Sequence, residues 1–176
     1  MANAQHSSAS VTWYTPAPII ERARRVLGTI MLDPASDAVA NEVVCAELYL
    51  SEGGLTWAKW PRSATVWLNP PGGKFAGDSL AGEFWRALMR YREAGYLLHA
   101  LFLAFSLEAL QNTQEDDELS CMAFPFCVPK KRIPFIYPGE SKRSPTHANA
   151  IVYVPGLLNE TARFLETFRD VGACKP

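Results

Sequence analysis

Val66-Trp67-Leu68-Asn69-Pro70-Pro71-Gly72-Gly73-Lys74-Phe75 is the stretch on which the reading of this chain turns. Thr65 to Leu68 is β-branched and aromatic, the composition of a buried strand, and it stops at an amide side chain and two prolines. Prolines supply no backbone N–H, and each holds the residue before it in extended geometry, so the peptide leaves the strand end stiffly with its carbonyls free. The Asn69 side-chain oxygen and the Pro70 carbonyl are both acceptors, able together to hold the two hydrogens of a planar exocyclic amine. Pro71 fixes their geometry, and Gly72 and Gly73 let a ligand approach the backbone closely.

Upstream, Trp13-Tyr14-Thr15-Pro16 leads into a helical pattern from Pro18 to Val26 in which Ile19, Ile20, Ala23 and Val26 share a face. Gly28 closes it. Thr29 to Leu32 reads as a short apolar strand, ended by Asp33-Pro34 at the edge where a parallel α/β sheet presents its ligands. Ser36 and Asp37 are both capable N-caps for a helical turn through Ala38 to Asn41. Val43 to Leu50 then reads as a strand containing Glu47, broken by Gly53-Gly54. Residues 1 to 10 are small and polar, without periodicity, and are expected to form a loose arm ahead of a single domain spanning 11 to 176.

Downstream, Ala76 to Ser79 reads as a loop and Leu80 to Glu93 as an amphipathic helix ended by Gly95. Tyr96 to Phe105 is the most hydrophobic run and is expected to be a central strand, after which Ser106 caps a short helix that ends in the acidic stretch Glu115 to Glu118. Cys121 to Val128 and Arg132 to Tyr137 suggest irregular or edge strands. Ala148 to Val154 is a cleaner strand, turned at Pro155-Gly156 into a terminal helix from Leu157 to Val171. Strands alternating with helices, then strands close together at the end, predict an α/β sheet with an antiparallel C-terminal hairpin.

At 176 residues and 48% hydrophobic content, the chain is the size of one domain able to bury about two thirds of its unfolded surface. Its net charge of −1 means that any nucleic-acid contact must come from a local patch. Lys130, Lys131, Arg132, Lys142 and Arg143 form the largest one, readable as a binding surface or as an ordinary solvated loop. The four cysteines include no C-x-x-C pair and the histidines sit at no metal-ligand spacing, so reduced thiols and no metal are expected. No signal-peptide pattern and no run of about 18 apolar residues is present, which predicts a soluble, intracellular protein without membrane partners.

The Asn-Pro-Pro turn resembles the (N/D/S)-P-P-(Y/F) motif of the methyltransferases that modify exocyclic or amide nitrogens with S-adenosylmethionine. Trp13-Tyr14-Thr15-Pro16, Leu32-Asp33-Pro34-Ala35-Ser36-Asp37 and the spacing Gly54-Leu55…Trp60…Val66 to Pro71 make the chain similar to the phage-type Dam family of DNA N6-adenine methyltransferases. These motifs span roughly residues 11 to 75 and continue more weakly to about Val154. The resemblance implies a Rossmann-like methyltransferase sheet, S-adenosylmethionine as cofactor, double-stranded DNA with an adenine-containing site as partner, and the cytoplasm of a bacterial or phage-infected cell. It also implies that Tyr14, Thr15 and Pro16 pack over the methionine end of the cofactor. Asp33-Pro34-Ala35 takes the place of the family's D-P/V-A segment, since no Gly-rich loop is present there, and Asp37 belongs to the same segment although it also reads as a helix cap. Gly72 departs from the motif, which has at that position the aromatic residue that stacks on the extruded base. Phe75 is the nearest replacement, and Lys74 can meet a phosphate or face water.

An exocyclic adenine amine is a poor nucleophile because its lone pair is delocalised into the ring. Two acceptors on its hydrogens favour the pyramidal nitrogen that attacks, and a sulfonium placed in line delivers the methyl by direct displacement. Asp33, at the sheet edge, suits the cofactor's methionyl amino group or a ribose hydroxyl. Trp67 reads as core. Competing readings keep the cofactor but change the acceptor to an RNA base or a protein glutamine amide, or treat the chain as a catalytically inactive nucleic-acid-binding relative. Cytosine-C5 methylation is excluded by the lack of a Pro-Cys nucleophile.

Overall fold

The computed structural model describes residues 13–104, 106–111, 113–114, 119–136 and 147–176. The arm expected at 1 to 10, the acidic stretch 115–118, and Lys142 and Arg143 of the basic patch lie outside them. Among the described residues no helix is long and apolar enough to cross a membrane.

Strand β3 (Ala64–Leu68) is buried at all five positions, as its β-branched and aromatic composition requires. It lies between β1 (Leu32–Asp33) and β6 (Leu97–Ala104), parallel to both, and β2 (Leu48–Tyr49) extends the parallel set beyond β1. On the other side β6 pairs antiparallel with β8 (Ala150–Pro155), β8 with β7 (Phe126–Pro129) and β7 with β9 (Gly172–Lys175). The result is a mixed seven-stranded sheet in the order β2-β1-β3-β6-β8-β7-β9. Alternate residues feed two apolar layers. Val66, Leu68, Ala100, Phe102 and Val152 face the layer beneath α3 (Leu80–Glu93). Trp67, Leu101, Leu103, Ile151 and Tyr153 face the opposite layer, under α1 (Ala17–Leu27) and α5 (Thr161–Phe168). Trp67 is therefore core, 1% exposed, and truncating it to alanine would cost about 3–5 kcal/mol.

Local chemistry sets most element ends. Helix α1 carries Pro in its first turn and stops at Gly28, whose φ of 71° is easy only without a Cβ and whose N–H reaches the Arg24 carbonyl at 2.8 Å. Helix α2 (Ala38–Val44) starts where the Asp37 carboxylate accepts from the Ala40 N–H at 2.8 Å. It runs three residues past the expected turn, because the Asn41 side-chain oxygen accepts from the Ala46 N–H at 2.8 Å and holds its end. Val43 and Val44 are consequently helical, and the strand expected from Val43 shrinks to Leu48–Tyr49.

Four further expectations are corrected. Ala76 to Ser79 is no plain loop: β4 (Lys74–Phe75) and β5 (Asp78–Ser79) form a hairpin through Ala76 and Gly77, both at positive φ as such a tight turn demands. The Thr29 to Leu32 segment pairs in register only from Leu32, and the strand continues to Asp33. Of Arg132 to Tyr137, the described part contributes a single bridge, Ile136 to Tyr14. The terminal helix begins at Thr161 and not Leu157, because the Leu157 and Leu158 amides are taken by the Leu97 and Leu98 carbonyls, each at 2.9 Å. It also ends earlier, at Phe168, and the chain turns into β9. Short α4 (Leu107–Gln111) follows β6 as expected.

Candidate functional site

The chain leaves β1 toward β2 on one side and returns to β3 on the other. The carboxyl ends of β1 and β3 thus flank a topological switch point, the place where open α/β sheets hold ligands. Asp33 ends β1, and Asn69 follows the last residue of β3. A cavity of ≈ 200 Å³ lies between them.

The Asn69 amide nitrogen donates to the Trp13 carbonyl at 2.9 Å and to the Thr15 hydroxyl at 3.2 Å. A backbone carbonyl can only accept, so the nitrogen must face this way, and both of its hydrogens are used. The side-chain oxygen therefore points elsewhere, and no described residue donates to it or to the Pro70 carbonyl. Asn69, Pro70, Pro71 and Gly72 all line the cavity. Two rigid acceptors stand at its wall.

Asp33 also lines the cavity and is 2% exposed. Burial pushes its carboxyl up to about 7, the Asp37 charge adds to the rise, and the Ala35 N–H, at 3.2 Å from Oδ1, opposes it together with the Ser36 hydroxyl. That hydroxyl sits beside the carboxylate without meeting hydrogen-bond geometry. It is the buried side-chain polar atom that no described residue meets in hydrogen-bond geometry, which leaves its donor open to a ligand. A buried carboxyl and an orphan hydroxyl on one cavity wall are groups that a polar ligand would satisfy.

The roof is the N-terminal segment. Thr15 is buried, and the Tyr14 hydroxyl donates to Asp37 Oδ2 at 2.9 Å, so Asp37 caps α2 with one oxygen and ties down Tyr14 with the other. Burial first, then the hydrogen bond and charge of Asp37, raise the Tyr14 phenol. Tyr14 and Ile136 exchange backbone hydrogen bonds of 2.9 and 3.0 Å, which brings Ile136 onto the cavity wall. Pro34 lies just behind: a Cβ built on Gly54 would stand 1.8 Å from its carbonyl oxygen. Pro16 caps the start of α1. Neither proline lines the cavity.

The other expected residues lie outside this cavity. Lys74 and Phe75 are exposed on the β4–β5 hairpin, Phe75 at 55%. Lys130, Lys131 and Arg132 are exposed just past the end of β7. Phe126 and Cys127 face the β8 residues that also face Phe102 and Leu103 of β6, so β7 runs in the direction of β6 and β3. The basic residues therefore sit at the same sheet edge as Asn69, three strand spacings or about 14 Å across, and the chain from them returns to the cavity at Ile136.

Trp13, Ser36, Val39 and Ile136 also line the cavity, and none was expected there. Trp13 and Ser36 carried a signal, since each lies within a motif segment of the sequence, Trp13 to Pro16 and Leu32 to Asp37. Compared with known proteins, the chain matches no family model, no curated protein and no solved structure.

Proposed function

We propose that the chain is a DNA N6-adenine methyltransferase that uses S-adenosylmethionine, with its sheet as the Rossmann-like platform of that class. The observation that carries this reading is the Asn69 amide: its hydrogens are consumed by Trp13 and Thr15, so its oxygen is presented as an acceptor. With the Pro70 carbonyl it can receive both hydrogens of an exocyclic amine and favour the pyramidal nitrogen that attacks. Asp33 and Ser36 would hold the cofactor. A cationic amine beside Asp33 would restore its ionised form, and a carboxylate or ribose hydroxyl could take up the Ser36 donor. When bound, S-adenosylmethionine supplies a methyl group on a sulfonium. Thr15 holds the Asn69 amide in place, and Pro70 and Pro71 keep the acceptors from turning away. At ≈ 200 Å³ the cavity is smaller than the roughly 300–1,000 Å³ of whole-ligand sites, a size suited to one end of an extended cofactor. Lys130, Lys131 and Arg132 would follow the phosphate backbone at the same sheet edge.

One observation favours a second acceptor. Gly72 lines the cavity while Phe75 stands exposed outside it, so no motif aromatic is in place to stack on an extruded base. A protein glutamine amide, needing no stacking partner, would meet the same two acceptors. Transfer of labelled methyl from S-adenosylmethionine to duplex DNA, RNA and a glutamine-containing peptide separates the readings. Label in DNA adenine is expected. Label in peptide alone would replace the DNA reading, and no cofactor binding by calorimetry would leave an inactive relative.

A further inference from the structure

The antiparallel pairing of β7 with β9 sets Cys127 directly opposite Cys174. Facing residues in such a pair have Cα atoms about 4.5–5.5 Å apart, inside the roughly 4.4–6.8 Å that a disulfide spans. The two side chains lie on one face of the sheet: Cys127 is fully buried in the layer beneath α1 and α5, and Cys174 packs against that layer while remaining partly exposed. They are close enough to interact with each other. Each thiol also meets a backbone carbonyl, Cys127 that of Phe168 and Cys174 that of Gly172, both at 3.7 Å. These are weak contacts, easily given up. Cys45 is exposed at the end of α2 and Cys121 is buried in the layer beneath α3.

We propose that Cys127 and Cys174 are an oxidisable dithiol, a site at which the chain takes up a reversible disulfide that clamps the edge strand β9 to β7. The co-reactant is a small-molecule disulfide such as oxidised glutathione. Cys174, the accessible member, attacks as thiolate one sulfur of that disulfide, breaking its S–S bond and releasing one thiol. The Cys127 sulfur then displaces the second thiolate from Cys174, and the Cys127 proton passes to that departing thiolate, which leaves as a thiol. Two S–H bonds are lost and one S–S bond is formed, while the small disulfide is reduced to two thiols. Burial holds the Cys127 thiol well above the usual range, which disfavours it as the first attacker, while its place directly opposite Cys174 makes the second attack intramolecular. The clamp would also stiffen the root of the segment leading to the cavity, because Val128 and Pro129 pair with Ala173 and Gly172 and the Lys130 N–H bonds the Val171 carbonyl at 2.9 Å. None of this depends on what the cavity binds.

The test is to incubate the full chain with oxidised glutathione, alkylate the remaining thiols, map peptides without reduction and record the melting temperature. The expected product is a Cys127-containing peptide joined to a Cys174-containing one. It should come with a rise in Tm of about 5 °C or more, reversed by dithiothreitol. Cys174→Ser should lose both the link and the rise, and Cys127→Ser should leave Cys174 carrying glutathione. Glutathione persisting on Cys174 of the unaltered chain, oxidation at Cys45 alone, or a link that lowers Tm would each overturn the proposal.

Discussion

Asn69 and Asp33 line one cavity, and the role proposed for each has a consequence that can be measured on its own. Replacing Asn69 by alanine removes one acceptor and frees the Trp13 carbonyl and Thr15 hydroxyl. Methyl transfer should fall by about 100-fold or more, the scale for losing a transition-state hydrogen-bond partner. Cofactor affinity by calorimetry should change little, so loss of both would place Asn69 in cofactor binding. For Asp33 the folded pKa of about 7 stands above the ordinary 3.8, so protonation favours the folded state. The stability it supplies is fully present below about pH 4 and is lost as pH rises through 7, up to about 4 kcal/mol. Asp33→Asn cannot titrate. Between pH 5 and pH 8 the unaltered chain, free of cofactor, should lose stability relative to Asp33→Asn in urea titrations, while the variant binds S-adenosylmethionine at least about tenfold more weakly. Parallel pH profiles for the two proteins would show that Asp33 is not held neutral by burial.

At the level of elements, the loop from Asp33 to Ser36 is held from below by the turn at Gly54. A Cβ there would stand 1.8 Å from the Pro34 carbonyl oxygen and 3.2 Å from the Phe84 ring, and the Trp60 indole N–H also anchors the Gly54 carbonyl at 3.0 Å. Backbone must move to accept a side chain. Gly54→Ala should therefore cost about 1–3 kcal/mol in urea titrations and weaken S-adenosylmethionine binding, although residue 54 does not line the cavity. Unchanged affinity would mean that the Asp33 loop holds its shape without this support. The segment after β7 gives the second element-scale prediction. Changing Lys130, Lys131 and Arg132 to serine should weaken binding similarly for all DNA sequences and flatten the salt dependence by about one unit of slope for each phosphate that is no longer neutralised. An unchanged slope in affinity measurements across salt concentrations would make the segment a solvated loop.

Across the whole molecule, what could be read from the sequence was whatever a local signal decides. Leu80–Glu93 matches its expected bounds, and β3 and β6 were visible as runs buried on both faces. The end of β3 before Asn69-Pro70-Pro71 was legible because two prolines leave the chain few conformations. Features decided by distant partners were not. Strand β9 is four residues beginning with a glycine, and at Gly172 the backbone comes too close to Val128 to admit a side chain. Ile136 joins the cavity wall through a bridge to a residue 122 positions earlier, Tyr14, and the turn at Leu157 and Leu158 is imposed by the carbonyls of β6. These scales meet at one sheet edge, where an amide acceptor and a buried carboxyl line one cavity, and methyl transfer to adenine in DNA is the function proposed for that pairing. Nucleoside mass spectrometry of DNA from cells expressing the chain, beside cells expressing Asn69→Ala, tests it most directly. The account predicts N6-methyladenine above background with the unaltered chain and its loss with Asn69→Ala; background levels in both, with the unaltered protein folded and expressed, would contradict it.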